Sequence, residues 1–184
     1  MGMPAHETYW TLDMVRALPQ DGQRYEVLDG ILLVSPAPSY RHQVAVSLLY
    51  EILAPYTRQN GIGRTLTSPA EIELSDTRLV QPDVFVVPAE IKANTWRDIT
   101  GLLVAAEVIS PSTARWDRFD KRTAYQEKNV PEYWVVDLDA RAFERWRPGD
   151  KRPELLDTRL VWHPVDTLPP LIIDLAKYFA NVWS

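Results

Sequence analysis

"LLVAAEVISPST", residues 102–113, sets one charge inside an apolar run. Leu102, Leu103, Val104, Ala105, Ala106, Val108 and Ile109 surround Glu107, and Gly101 and Ser110-Pro111 bound the stretch. An apolar run of this length between turn residues predicts a strand buried on both faces. An ionised carboxylate inside such a strand costs far more free energy than a surface ion pair returns, unless a partner or a metal ion meets it. Glu107 therefore marks either a buried ion pair or a site.

A second acid stands at a strand mouth upstream. In "LVQPDVFVVP", residues 79–88, Asp83 directly follows Pro82 and precedes an apolar run. An acid at the start of one strand and an acid inside its neighbour can meet across a ladder. Two close carboxylates repel, and one is then driven toward protonation. A divalent cation removes that conflict, and Mg²⁺ typically takes one or two carboxylates together with waters and phosphate oxygens. The alternative is that Asp83 caps a turn and Glu107 pairs with a buried Arg. These two residues alone leave both readings open.

Downstream, "STARWDRFDKRTAYQEKNV" (112–130) predicts a helix stopped by Pro131. Asp117, Lys121, Tyr125 and Lys128 recur at helical spacing and share a face, with Trp116, Phe119 and Thr123 on another. From that face Lys121 can reach back over the sheet toward the carboxylates. It also has the spacing of an ordinary i,i+4 pair with Asp117, worth a few tenths of a kcal/mol.

The remaining pattern alternates helices and strands. Thr11 caps a short helix through "LDMVRAL" that Pro19 ends. "RYEVLDGILLVSP" (24–36) predicts a hairpin turning at Asp29-Gly30. "SYRHQVAVSLLYEILAPYTRQNG" (39–61) carries Val44, Leu48, Leu49, Ile52 and Leu53 at helical spacing, with Gly61 beyond its end. "GRTLTSPAEIELSDTRLVQPDVFVVP" (63–88) predicts strands broken near Ser75-Asp76. "EYWVVDLD" is a further strand, "RAFERWRPGDKRPELL" a strand with its loop, and "LIIDLAKYFANVW" (171–183) a C-terminal helix. The sum is a mixed α/β chain with a largely apolar central sheet flanked by helices and an N-terminal hairpin extension. No linker divides it, so a single domain over 1–184 is expected.

Composition narrows the function classes. The 184 residues are 46% hydrophobic, enough for a sizeable core, and include no cysteine, which excludes disulfides and thiolate metal sites. No apolar stretch approaches the roughly 20 residues that span a bilayer, and the opening "MGMPAHETYW" lacks a secretion signal. No membrane partner and a cytoplasmic location are therefore expected. The formal net charge of −5 argues against non-specific coating of nucleic acid, but not against a locally basic cleft.

Four segments together resemble the bacterial Uma-type restriction endonucleases, which belong to the PD-(D/E)XK nuclease superfamily. They are "YEVLDGILLVSPAPSYRHQ", "QPDVFVV", "AAEVISPSTARWDRFDKRTAYQEKNVPEYWVVD" and "LPPLIIDL". The resemblance runs from about Thr11 to the C-terminus, and the run from Glu107 through "DKR" to "EYWVVD" is its most specific part. It implies a restriction-endonuclease-like fold. It also implies metal ligation by Asp83, Glu107 and the Val108 backbone carbonyl. The superfamily usually keeps its catalytic Lys two residues beyond the Glu; here that position is Ile109. In the resembled branch the Lys comes from the following helix, which implies Lys121. Glu26 and His42 lie in recurrent motifs of the family, and with Tyr125 they are additional candidates. A hairpin surface acid and a hydrogen-bonded helix residue are the plainer readings of Glu26 and His42.

The implied chemistry is phosphodiester hydrolysis with Mg²⁺ or Mn²⁺, hard ions suited to an oxygen donor set. Arg115, Arg118, Lys121, Arg122 and Lys128 form a basic stretch able to hold a nucleic-acid backbone. Arg141, Arg145, Arg147, Lys151 and Arg152 form a second, more mixed with acids. DNA is the expected partner, and a homodimer the expected assembly, since two sites cut two strands. A non-catalytic binding or scaffold module on the same fold is the rival reading, and hydrolysis of another phosphoester a third.

Overall fold

The computed structural model describes residues 8–19 and 21–184. The opening segment on which the absence of a secretion signal was expected lies mostly outside the described residues. Among the described residues, no helix is long and apolar enough to cross a membrane.

The chain runs α1 (Leu12–Arg16), β1 (Arg24–Leu28), β2 (Ile31–Ser35), α2 (Tyr40–Gln59), β3 (Gly63–Thr67), β4 (Ile72–Ser75), β5 (Arg78–Val80), β6 (Val84–Pro88) and β7 (Val104–Val108). It continues through α3 (Ala114–Trp116), a π-helical turn (Asp117–Lys121), α4 (Arg122–Glu127), β8 (Glu132–Asp137), β9 (Ala142–Trp146), β10 (Glu154–Leu156), β11 (Arg159–Trp162), β12 (Leu171–Asp174) and α5 (Leu175–Val182).

A six-stranded sheet in the order β10-β9-β8-β7-β6-β3 forms the centre. Its β7–β8 pair is parallel and its other pairs are antiparallel, so the sheet is mixed. The parallel pair needs a crossover, which α3, the π turn and α4 supply. The expected hairpin forms: β1 and β2 pair across Asp29 and Gly30, whose φ angles of +50° and +87° suit an Asp-Gly hairpin turn. It does not stand alone as an extension. β1 also pairs with β5, and β5 with β4, giving a second sheet in the order β2-β1-β5-β4.

Alternation along the central strands separates two cores. Val84, Val86, Val104, Ala106, Trp134 and Val136 pack against α2 and α5 through Leu49, Leu53, Tyr178 and Phe179. Phe85, Val87, Ala105, Tyr133 and Val135 face the other way, onto the second sheet (Leu28, Leu33, Ile72, Val80) and α4 (Ala124, Tyr125). β7 is buried along its whole length, as the apolar run predicts.

Two segments depart from the sequence expectation. The predicted C-terminal helix begins only at Leu175, because Leu171–Asp174 pairs with β11, and Asp174 then caps the helix by accepting from Lys177 N–H. The predicted helix over 112–130 is interrupted by the π turn, a feature that sequence periodicity does not reveal.

Candidate active site

Strand register brings the two acids together. Val84 pairs with Ala106 and Phe85 with Ala105, so one further step along the ladder sets Asp83 opposite Glu107. Directly opposite residues share a face, and both acids continue the odd-numbered row that looks toward the second sheet.

Asp83 is 3% exposed and its carboxylate is held on three sides. Arg24 Nη1 donates to Oδ1 at 2.6 Å, the Val108 backbone N–H donates to Oδ2 at 2.8 Å, and His42 Nε2 lies 3.1 Å from Oδ2. A carboxylate only accepts, so His42 Nε2 carries the proton. Burial pushes the Asp83 carboxyl up, but the His42 hydrogen bond and the Arg24 guanidinium outweigh it and hold the pKa at about 2. Arg24 is fixed in turn by the Gln81 carbonyl at 3.0 Å and Ser68 Oγ at 3.1 Å.

Glu107, 1% exposed, takes a different environment. Its Oε1 accepts from Lys121 Nζ at 3.1 Å and from Tyr125 Oη at 3.2 Å, and its Oε2 accepts nothing among the described residues. Burial drives its carboxyl well above the usual range; Lys121 opposes the shift, and Asp83 and Asp117 add to it. The pair of acids thus splits. His42 and Arg24 hold Asp83 low, while Glu107, nearer the lysine and the other acids, is pushed up.

Lys121 is buried among three carboxylates: Glu26 Oε2 at 2.9 Å, Glu107 Oε1 at 3.1 Å and Asp117 Oδ1 at 3.2 Å. Burial disfavours the ammonium, but Glu107, Glu26 and Asp117 outweigh it and raise the Lys121 pKa well above the ordinary lysine value. The Asp117 contact is ionic only, since Oδ1 makes no hydrogen bond. Burial also raises the Asp117 carboxyl. Glu26 is anchored by the Gln81 N–H, which donates to Oε1 at 2.7 Å. Tyr125 stacks on Tyr133 with ring centroids 4.6 Å apart, and Tyr133 Oη donates to the Asp117 carbonyl at 2.8 Å. Inward-facing Asp117 and Lys121 bound the π turn, a distortion that recurs at functional sites.

Arg24, His42, Asp83, Glu107, Asp117 and Lys121 together line a cleft of about 360 Å³. Asp83, Glu107 and Asp117 line it with Arg24 and Lys121, and Glu26 joins the same network through Lys121. Among the described residues no three His, Asp or Glu side chains are arranged to hold a metal ion. A two-carboxylate site needs fewer. Asp83 and Glu107, with the unengaged Oε2, fit a hard divalent ion that completes its shell with water and phosphate.

The structure thus gathers Asp83, Glu107, Lys121, Glu26, His42 and Tyr125 into one network. Val108 reaches it through its N–H. The basic residues scatter. Arg118 clamps Asp137 at 2.6 Å and Glu144 at 2.5 Å. Arg122 donates to Gln126 and the Arg118 carbonyl and lies over Trp146. Arg115 and Lys128 are exposed and without ion pairs among the described residues. Arg145 and Arg147 bind Glu154.

Sequence reasoning missed Arg24 and did not assign Asp117 to the site. A signal existed for Arg24. In a strand, Arg24 and Glu26 are two residues apart and share a face, so a buried Glu26 carries Arg24 inward with it.

The family model described as "Uma2: Putative restriction endonuclease" matches residues 12–176. The chain belongs to the Uma2 family. Among solved structures, a crystal structure of "a putative nuclease belonging to DUF820" from Anabaena variabilis matches with a TM-score of 0.78. It is 18% identical, and the match covers 94% of this chain and 99% of that one, a likeness of fold. No curated protein matches the sequence. Uma2 membership and that neighbour identify the architecture as restriction-endonuclease-like and support a nuclease-type function.

Proposed function

We propose that this Uma2 protein is a metal-dependent nuclease that hydrolyses phosphodiester bonds in DNA, with Asp83, Glu107 and Lys121 as its catalytic groups. The observation that carries the reading is the pair of buried carboxyl groups, Asp83 and Glu107, set side by side in one cleft, with Glu107 Oε2 unengaged among the described residues. Mg²⁺ or Mn²⁺ is the ion proposed, held by Asp83, Glu107 and the Val108 carbonyl. When bound, such an ion supplies Lewis-acid charge and a water of lowered pKa.

The protein's own groups have separate tasks. Arg24 and His42 keep Asp83 ionised and oriented. Tyr125 fixes Glu107. Lys121 offers an ammonium to charge developing on the phosphoryl oxygens, and its three carboxylate neighbours keep it protonated. Arg115 and Lys128, exposed and without ion pairs among the described residues, meet backbone phosphates, with Arg118 and Arg122 behind them. Two copies would serve the two strands of a duplex, in the cytoplasm.

A plasmid-nicking assay with Mg²⁺ or Mn²⁺ and an EDTA control tests this reading. Cleavage by the parent and none by Glu107→Gln is the expected result; no cleavage with any divalent ion would sink it. One observation favours a second reading, a binding module without turnover: both Asp83 oxygens already accept hydrogen bonds. DNA binding without nicking would select it.

A further inference from the structure

At one rim of the cleft, chain segments distant in sequence meet at Trp183. Arg41, the second residue of α2, lies over the Trp183 ring with its guanidinium carbon 3.7 Å from the centroid. Arg141, in the turn between β8 and β9, lies over the same ring at 5.5 Å. Arg41 and Trp183 line the cleft together with Leu138 and Asp139 of that turn.

Neither arginine is neutralised. Among the described residues neither Arg41 nor Arg141 forms an ion pair, although Asp139 stands on the same rim. In contrast, Arg118, Arg145 and Arg147 are tied to carboxylates. Arg141 adopts φ +50°, a left-handed conformation unfavourable for a residue with a side chain. The first turn of α2 holds no acidic residue, so its positive dipole end adds to the same field. Beside it His42 is 9% exposed, and its buried Nδ1 has no partner among the described residues.

A guanidinium stacked on an aromatic ring is held flat, leaving its planar N–H fork for an anion, and phosphate matches that fork. We propose that Arg41 and Arg141, aligned on Trp183, form a docking subsite for the phosphate backbone of the nucleic-acid strand entering the cleft. This rests on the nuclease reading, and it assigns substrate contacts to a rim opposite in charge to the acidic floor.

Equilibrium binding of a labelled DNA duplex, in Ca²⁺ and across a salt series, tests it. Each phosphate contact contributes about one unit to the log–log salt slope. Arg41→Ala and Arg141→Ala should each lower the slope by about one unit, and the double variant by about two. Trp183→Ala should weaken binding by releasing both guanidiniums. Arg58→Ala removes the same charge from the other end of α2 and should leave the slope at the parent value. Both arginines are exposed, so thermal midpoints near the parent's will show the variants folded. A double variant with the parent slope, or an equal loss in Arg58→Ala, overturns the subsite while leaving the nuclease reading standing. A parent that binds no nucleic acid overturns both.

Discussion

Val108 donates its backbone N–H to Asp83 Oδ2 at 2.8 Å, tying the last residue of β7 to the residue that precedes β6. The side chain of Asp83 thus continues the strand pairing where the backbone ladder stops. The same oxygen faces His42 from α2. One carboxylate joins the sheet, a helix and, through Arg24, the second sheet.

Acid should expose that joint. The Asp83 pKa of about 2 lies below the ordinary 3.8. A depressed carboxylate contributes stability that is present above 3.8 and lost as pH falls toward 2, here about 2 kcal/mol. Asp83→Asn should therefore be less stable than the parent at neutral pH. Urea unfolding of both proteins should show the gap narrowing across that window.

Glu107 should give the opposite trend. Its carboxyl is raised above 4.5, so its contribution is complete below 4.5 and is lost as pH rises beyond it. Metal-free parent protein should lose stability on that limb, and Glu107→Gln should flatten it. Calorimetry should find Mn²⁺ binding abolished in the same variant. Retained Mn²⁺ binding would remove Glu107 from the ligand set.

Lys121→Ala leaves Glu26, Glu107 and Asp117 buried around a missing charge. Breaking a buried ion cluster in this way costs about 3–5 kcal/mol, measurable by denaturation at neutral pH. Turnover in the nicking assay should fall about 100-fold or more. Mn²⁺ binding should persist, because an ammonium is not a ligand. Lys121→Arg should rescue poorly, as a planar fork does not fit a site built around a point charge.

Ile109 lines the same cleft. Adding Ile109→Lys to Lys121→Ala should restore part of the turnover if an ammonium near the phosphate is what matters. Cleavage by Lys121→Ala at the parent rate would reduce Lys121 to a structural partner of the three acids.

Glu107 was legible in the sequence because it interrupts an apolar strand, where a charge needs a reason, and Asp83 because it stands at the mouth of the neighbouring one. Lys121 was legible through the family resemblance, since its helical spacing alone also fits an ordinary i,i+4 pair. Asp117 was hidden by the same spacing, since an i,i+4 acid and lysine look alike on a solvated face and in a core. Only packing against Tyr133 and Glu26 decides between them. Arg24 was hidden because a polar residue opening a hairpin strand normally faces water. The second sheet was unreadable for a related reason: β4 and β5 are four and three residues long, and the pairing of β5 with β1 is a long-range choice. The basic stretch divides in the structure. Sequence counts arginines, but Arg118 is tied to Asp137 and Glu144 and Arg122 to Gln126, while Arg115 and Lys128 form no ion pair among the described residues.

Between their connecting turns the two sheets pack side chain to side chain: Leu28, Leu33 and Val80 against Phe85, Ala105 and Tyr133. Arg24 and Glu26 ride on the smaller one, and Asp83, Glu107 and Lys121 belong to the larger or its crossover. Local opening that lifts the small sheet away would strand Lys121 with one fewer carboxylate and Asp83 without its guanidinium, while β6 to β9 stay paired. Loss of competence and loss of structure would then be separate events. Mild denaturant should silence the protein at concentrations where the hydrogen-exchange protection of β7 and β8 is still intact.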